Sequence, residues 1–229
     1  MSGKNDKIFI SKARGNTPTL QGCDALMMKF QGGPNSALSI DVVKHPFLGT
    51  DLYNIGEYYN FKYGTPEVID NKDYYVVVFD SKYKEQDIMF RGKIYIEPET
   101  YAISRVAFSM NVENRSDAYL NFIKQKPSLV NMDVQKATYV VNYKNYNNKW
   151  YFDYSTSEVT FNVKWKKMDV NSEYTLRSQL AVTNLTSKDV KIDKKDLLKP
   201  SDIVAEKVKE YNDTTNWDVY NLIMLLALK

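Results

Sequence analysis

Hydrophobic and polar residues alternate along the chain between about residues 58 and 184, and a period of two is typical of β-strands. The clearest stretch is residues 87–97, where one side of the strand carries Ile88, Phe90, Gly92, Ile94 and Ile96. The hydrophobic pattern predicts eight strands, at residues 58–63, 73–80, 87–97, 101–112, 135–144, 150–156, 158–167 and 172–183. The strand at 73–80 differs from the others in being apolar on both faces.

The connections between many of these strands are short. Pro98 occupies the second position of a tight turn at residues 97–100, and residues 145–149 form an asparagine-rich hairpin loop. Short hairpin links pair consecutive strands antiparallel, so the pattern predicts a meander. The apolar side chains fall on one face and the polar ones on the other, which is typical of a sheet covered on one side only.

Outside this run, the pattern predicts strands at 7–13 and 23–30, a helix or a strand at 36–44, a helical or looped connection at 113–133 broken at Pro127, and a helix at 202–212 with Ser201 as its N-cap. We predict one mainly β domain with minor helix over residues 1–229. Residues 200–229 are expected to form its helical packing tail.

The composition agrees with a β protein and narrows its chemistry. The chain has 18 Tyr and 10 Phe, and such side chains favour strands. A net charge of +3, with lysines scattered rather than clustered, does not indicate nucleic-acid binding. A single cysteine, Cys23, excludes an internal disulfide, and a single histidine, His45, excludes a multi-histidine metal site.

Motifs for catalysis are weak. His45 lies in a turn-like Lys-His-Pro stretch with no nucleophile-elbow glycines nearby, and Cys23 fits a small buried hydrophobe. A glycine-rich phosphate loop is missing from the sequence, and residues 70–73 lack the further ligands of a calcium loop. A carboxylate pair for hydrolysis stays open among Asp80, Glu85, Asp87, Glu97 and Glu99. We predict a non-enzyme without cofactor or metal.

Neither base stacking nor a membrane span is expected. Aromatic and lysine side chains in residues 150–166 alternate to opposite faces, whereas a base-stacking platform needs both on one exposed side. Core packing therefore explains these aromatics better. The longest apolar run, residues 222–228, is far short of the ~20 residues that a membrane span needs, and residues 1–6 are polar, unlike a signal peptide.

Several segments together resemble the domain that follows the carboxypeptidase-regulatory-like module in Gram-negative envelope proteins. They are residues 31–34 (Gln-Gly-Gly-Pro), 39–44, 58–61, 90–103 and the tail 216–223 with its Trp-x-x-Tyr-Asn-x-Ile pattern. The Gly-x-Ile-Tyr-Ile-(x)3-Thr-x-Ala-Ile hairpin within residues 90–103 also resembles that of the lipoprotein-carrier (LolA/LolB-like) superfamily. The similarity spans roughly residues 7–223.

The resemblance implies an incomplete, strongly curved β-barrel, a half-barrel with a few helices against its concave side. It also implies a location in the periplasm or at the periplasmic face of the outer membrane. Carriers of this fold hold acyl chains in the cavity. The chain departs from the pattern at two places. Domains of this family usually have further strands and a helix before the Gly-Gly-Pro region, so the resemblance implies that this chain begins partway through the full domain. The second departure is Met224-Leu225-Leu226, where a proline and an acidic residue are expected.

The resulting hypothesis is a binding or scaffolding module of the cell envelope that receives a lipid, a lipidated peptide or another apolar ligand. The alternatives are a protein-docking domain, which would use a sheet edge or the Trp217 tail, and a carboxylate-dependent hydrolase. An apolar face can be filled by helices or stay open for a ligand. If it is open, we expect the cavity to be lined by Ile94, Ile96, Phe108, Phe161 and Trp165.

Overall fold

A computed structural model describes residues 7–10, 13, 29–30, 34–45, 54–82, 89–112, 115–186, 191, 193, 196–199 and 202–208. The predicted mainly β, antiparallel fold is confirmed. By their mutual proximity the residues fall into two compact units, one of Met1–Ser36, Phe122–Ser128 and Thr183–Lys229 and the other of Ala37–Asn121 and Leu129–Val182. That the whole chain forms a single domain stays a prediction.

In chain order the strands are β1 (Ile8–Phe9), β2 (Lys29–Phe30), β3 (Tyr59–Tyr63), β4 (Glu67–Ile69), β5 (Lys72–Ser81), β6 (Phe90–Ile96), β7 (Ile103–Met110), β8 (Ile123–Gln125), β9 (Val130–Tyr146), β10 (Lys149–Trp165), β11 (Val170–Ala181) and β12 (Leu197–Leu198). The helices are α1 (Pro34–Ser39), α2 (Ile55–Tyr58) and α3 (Val204–Lys207), with 3-10 turns at Ala118–Asn121 and Lys166–Met168. The segment that fitted a helix or a strand therefore starts as a helix, α1.

The first unit contains two short antiparallel pairs, β1 with β12 and β2 with β8. The side-chain amide of Asn35 donates a hydrogen bond to the carbonyl oxygen of Leu198 at 3.3 Å. Helix α3 begins at Val204 with Ile203 at its N-cap position, and Ser201, which was predicted to cap this helix, lies outside the described residues. The tail motif at residues 216–223 lies outside the described residues.

The second unit contains the main sheet, in the strand order β11-β10-β9-β7-β6-β5-β3, with β4 paired to β5. Every neighbouring pair in it is antiparallel. The strands β5, β6 and β7 follow one another directly, as do β9, β10 and β11. The predicted meander is therefore confirmed within each of these two runs.

One strand, β10, replaces two predicted ones. The continuous strand runs from Lys149 to Trp165, and in it Ser157 lies opposite Tyr139 on β9. The predicted strand 158–167 therefore ends two residues early, where residues 166–168 form a 3-10 turn. Small polar residues there interrupt the hydrophobic pattern, but the backbone ladder continues through them. A bulge between Phe152 and Tyr154 adds a residue and turns Tyr154 to the other face. Its hydroxyl accepts a hydrogen bond from Gln179 at 2.7 Å.

Two hairpin turns use paired residues with positive φ. Asp70 and Asn71 have φ of 51° and 61°, and Asn147 and Asn148 have φ of 51° and 60°. Left-handed conformations at both central residues match the twist of the flanking strands, and Asn and Asp tolerate them. Residues 70–73, considered above as a calcium loop, therefore form the turn of the β4–β5 hairpin and the first two residues of β5.

The apolar face of the main sheet is the side that carries Phe79, Ile94, Val106, Phe108, Val141 and Phe161. Its centre is fully buried: Val106, Val141 and Val163 have 0% of their surface exposed. The opposite, polar face carries ion pairs such as Arg177 with Glu158 at 2.6 Å. The predicted division into an apolar and a polar face is confirmed there.

Candidate functional site

The five predicted lining residues all lie on the apolar face, but they form two groups. Ile94 and Ile96 on β6 and Phe108 on β7 are neighbours, since Ile94 lies opposite Val106. Phe161 and Trp165 lie on β10, opposite Val134 and Val130 at the start of β9. Phe108 lies opposite Tyr139, which in turn lies opposite Ser157 of β10. Ser157 precedes Phe161 by four residues, so the two groups are about 13 Å apart along the strand direction.

Four of these five side chains are buried, and Ile96 is the exception. Phe161 is 1% exposed, Trp165 and Ile94 are each 7% exposed and Phe108 is 5% exposed, whereas Ile96 is half-buried. Phe108 also stacks on Tyr139 with ring centroids 5.1 Å apart. Their role as ligand-lining residues stays a prediction, and Ile96 is the member of the set with surface available for contact.

Burial decreases steadily along one row of the apolar face. Directly opposite residues on adjacent antiparallel strands point to the same face, so Val141, Val106, Ile94, Val77 and Tyr63 form one line across five strands. Val141 and Val106 are fully buried, Ile94 is 7% exposed, Val77 is half-buried and Tyr63 is 97% exposed. The apolar face therefore reaches the protein surface at the β3 edge.

Four aromatic residues lie at and next to the exposed end of this row. We call this group the aromatic edge surface, and it consists of Phe61, Tyr63, Tyr75 and Tyr101. Phe61 and Tyr75 are 40% and 49% exposed, and Tyr101 is 72% exposed. The rings of Tyr75 and Tyr101 stack with centroids 6.4 Å apart and planes 14° from parallel. Tyr75 lies opposite Ile96, so the aromatic edge surface adjoins the predicted lining residues.

Strand β3 is held in place by its first residue. Tyr59 is 2% exposed, and its ring meets Phe79 edge to face at a centroid distance of 5.8 Å. Burial raises the pKa of the Tyr59 hydroxyl above its usual value. After Tyr63 the chain turns at Gly64, where an added Cβ would lie 2.9 Å from a methyl group of Val76. The strand is thus anchored at its start while its later side chains remain exposed.

A charged pair near this edge, Lys93 with Glu67, lies on the polar face. Lys93 donates a hydrogen bond from its ammonium group to Glu67 at 2.6 Å, and the Tyr95 hydroxyl donates to the same carboxylate at 3.1 Å. The hydrogen bond from Lys93 holds the pKa of Glu67 below its usual value. Because Ile94 alternates with Lys93 and Tyr95, these groups point away from the apolar face. The row that ends at Tyr63 is therefore uncharged.

Among the residues considered for catalysis, His45, Glu97 and Glu99 lie in turns, Asp80 lies on β5 opposite Asn60, and three lie outside the described part of the chain. His45 is exposed in a turn, where its backbone N–H donates to the Asp41 carbonyl at 2.7 Å. Glu97 accepts hydrogen bonds from the N–H and hydroxyl of Thr100, which stabilises its own turn and lowers the pKa of its carboxyl. Cys23, Glu85 and Asp87 lie outside the described residues.

The described residues contain no group of three or more His, Cys, Asp or Glu side chains placed to hold a metal ion. No helix in that part of the chain is both long and apolar enough to cross a membrane. Comparison with protein-family models, with curated proteins and with solved structures found no match. The functional proposal therefore depends on the geometry of this chain and on the sequence resemblance.

The aromatic edge surface could not be identified from the sequence. The hydrophobic pattern of residues 58–63 and 73–80 indicates strands and places Phe61, Tyr63 and Tyr75 on them, but it does not say which strand lies at the edge of the sheet. That position depends on strand order, which comes from long-range pairing. The large number of tyrosines is the one signal that hinted at an exposed aromatic surface.

Proposed function

We propose that this chain is a non-enzymatic binding module of the cell envelope, which binds an acyl chain or another apolar ligand where its apolar face meets the aromatic edge surface. The observation that supports it is the continuous row from buried Val106 and Ile94 to exposed Tyr63. Contiguous exposed apolar groups of this kind mark interaction sites. The ligand is proposed to lie over Ile96 and Tyr75.

The chemistry of this surface suits a long apolar group. Tyrosine and phenylalanine rings offer flat apolar area, and the tyrosine hydroxyls can remain in water. Burial of a methylene contributes about 0.8 kcal/mol, so six methylenes placed over the row contribute about 5 kcal/mol before the entropy cost of binding. Because the row contains no charged side chain, an acyl chain that packs on it would not remove water from a charged group of the row.

We also propose that the main sheet curves into the half-barrel of the lipoprotein-carrier type, with helices on its concave side. The register shifts on β10 near Phe152 and Phe161, and on β6 near Ile96, support strong bending, because bulges increase local twist and bend. The sheet is open, with β3 and β11 as the ends of its described strand order. Location in the periplasm or at the outer membrane rests on the sequence resemblance.

A second candidate function is docking of a partner protein at β3. Asn60–Tyr63 are all exposed, and among the described strands only β5 pairs with β3. An extended peptide can add to such an edge through backbone hydrogen bonds. Docking and apolar-ligand binding would use the same residues. The two functions are therefore distinguished by whether a protein or a lipid binds there.

A fluorescent fatty acid such as cis-parinaric acid tests the proposal. We expect saturable binding to the natural chain and at least tenfold weaker binding to the double variant Tyr63→Ser/Tyr75→Ser. The matched control is Tyr146→Ser/Tyr151→Ser, which removes two exposed tyrosines at the β9–β10 hairpin and should bind like the natural chain. Equal affinity of both double variants, or no saturable binding to the natural chain, would contradict the ligand proposal.

Mass spectrometry of organic extracts from natively purified protein gives an independent test of what is bound. A fatty acid or phospholipid that co-purifies with the natural chain and is depleted from Tyr63→Ser/Tyr75→Ser supports the ligand proposal. A co-purifying protein that depends on the same two tyrosines, without lipid, would instead support docking at β3.

A further inference from the structure

Strand β11 forms the other end of the main sheet and differs from β3 in length and exposure. It has 12 residues, and residues 171–177 are exposed on both faces. Among the described strands only β10 pairs with it. Proline and lysine often block pairing at a sheet edge, and the sequence from Val170 to Ala181 contains neither. Its outer edge is therefore open to a further strand.

The sequence of β11 is complementary to itself when reversed about Thr175. In an antiparallel pair of two β11 strands centred on Thr175, each residue lies opposite the residue of the other copy that is equally far from Thr175 on its other side. The resulting partners are Tyr174 with Leu176, Glu173 with Arg177, Ser172 with Ser178, Asn171 with Gln179 and Val170 with Leu180. Each pair is matched in polarity, and the charged pair is of opposite sign. Cross-strand pairs of these kinds stabilise antiparallel sheets.

The side chains of these pairs fall on suitable faces. Tyr174 and Leu176 lie opposite Phe161 and Val159 of β10, on the apolar face, and are 42% and 38% exposed. In the register centred on Thr175, Tyr174 of each copy would pack against Leu176 of the other copy. The apolar face would then continue across the junction instead of ending at two half-exposed side chains.

The charged pair extends a network that already exists within the chain. Arg177 donates from its Nε at 3.2 Å and its Nη2 at 2.6 Å to one carboxylate oxygen of Glu158 on β10. A guanidinium has five N–H donors, so the remaining ones can reach a second carboxylate. In the centred register that carboxylate is Glu173 of the second copy. The pairing occurs twice because of the symmetry.

Other registers match less well. A shift of the centre to residue 174 places Arg177 opposite Asn171, and a shift to residue 176 places it opposite Thr175. Registers centred between two residues would join the apolar face of one copy to the polar face of the other. Of these registers, the one centred on Thr175 combines the opposite charges with continuity of the apolar face.

We infer that β11 is a self-association edge, which pairs antiparallel with β11 of a second copy of this chain about a two-fold axis through Thr175. The partner is thus identified by complementarity of the strand to itself. A two-fold pairing uses the same edge on both copies, so association stops at the dimer. The inference is independent of the ligand proposed above, since β11 and β3 lie at opposite ends of the sheet order.

Sedimentation equilibrium with charge-reversal variants tests the inference. We expect the natural chain to dimerise and Glu173→Arg and Arg177→Glu each to weaken dimerisation at least tenfold, because each places like charges opposite one another twice. A 1:1 mixture of the two variants should restore association, since both charge pairs are then complementary. A natural chain that stays monomeric at all concentrations, or a mixture that associates no better than its components, would overturn the inference.

Cysteine crosslinking tests the register and does not depend on the charge variants folding well. In a Cys23→Ser background, Thr175→Cys should form a crosslinked dimer with diamide, because opposite residues of an antiparallel pair have Cα atoms within disulfide range. Ser172→Cys is the matched control, since the two copies of residue 172 would be about 20 Å apart. Ser172→Cys mixed with Ser178→Cys should crosslink. Equal crosslinking of Thr175→Cys and Ser172→Cys alone would overturn the register.

Discussion

The hydroxyl of Tyr143 donates a hydrogen bond of 2.7 Å to the carboxylate of Asp41, which lies 102 residues earlier in the chain. The same carboxylate oxygen accepts the backbone N–H of Val43 at 3.1 Å and of Lys44 at 3.2 Å. Tyr143 is 8% exposed. The pair therefore connects β9 to the turn after α1 and provides a partner for a buried hydroxyl.

Loss of this hydroxyl should destabilise the fold. We expect Tyr143→Phe to lower the free energy of unfolding by about 1–2 kcal/mol, because a half-buried carboxylate loses a hydrogen bond from a neutral donor. Urea denaturation followed by circular dichroism measures it. Tyr146→Phe is the control, since Tyr146 is 57% exposed and should leave stability within about 0.5 kcal/mol. Equal effects of the two changes would contradict the structural role.

Alkaline pH should destabilise the protein through buried tyrosines. Burial raises the pKa of Tyr139, and burial together with the Asp41 carboxylate raises the pKa of Tyr143. A raised folded-state pKa means that the stabilisation is complete below the unfolded value near 10 and is lost as pH rises above it. We expect the free energy of unfolding to fall above about pH 10, and Tyr139→Phe to reduce that slope. A slope unchanged by this substitution would count against the buried phenol as its cause.

Gly92 should be essential for the close approach of β6 and β7. A Cβ at this position would lie 2.2 Å from the carbonyl oxygen of Ala107 and 2.7 Å from the Cα of Phe108. We expect Gly92→Ala to cost about 3 kcal/mol in thermal or urea unfolding, because backbone atoms must move. Gly56→Ala is the control, since no atom lies within 4 Å of an added Cβ there, and it should be tolerated. Similar losses of stability in both variants would contradict the close approach.

The two ends of the apolar face should respond differently to a charge. Phe161 is 1% exposed, so Phe161→Lys buries an unpaired ammonium group and should destabilise the fold by about 4 kcal/mol or more. Tyr63 is 97% exposed, so Tyr63→Lys should leave stability within about 0.5 kcal/mol while it weakens apolar-ligand binding. Urea unfolding and fatty-acid titration measure the two effects. A stable Phe161→Lys variant that has lost ligand binding would instead place an open cavity at Phe161.

The hydrophobic pattern predicted the strands of the main sheet except the three-residue β4, but it did not predict their order. Alternation found β6 and β7 because local contacts with water and core impose a period of two on each strand, and a run that is apolar on both faces indicated β5. It divided β10 at Ser157 because small polar residues on the buried face resemble a break. The start of β9 at Val130 was missed, because residues 130–133 were assigned to the polar connection predicted at 113–133.

The candidate site was partly predictable. The sequence indicated that Ile94 and Ile96 lie on the apolar face, since alternation alone decides this. It did not separate them from Phe161, because burial depends on which strands and turns cover each part of the sheet. Exposure of Tyr63 likewise follows from the edge position of β3, which only long-range pairing determines.

Photo-crosslinking with a diazirine fatty acid, followed by peptide mass spectrometry, tests the proposed ligand site most directly. We predict saturable labelling at the aromatic edge surface and Ile96, which an unlabelled fatty acid competes away. Labelling centred on the β10 segment from Phe161 to Trp165, or labelling that does not saturate, would contradict the proposed site.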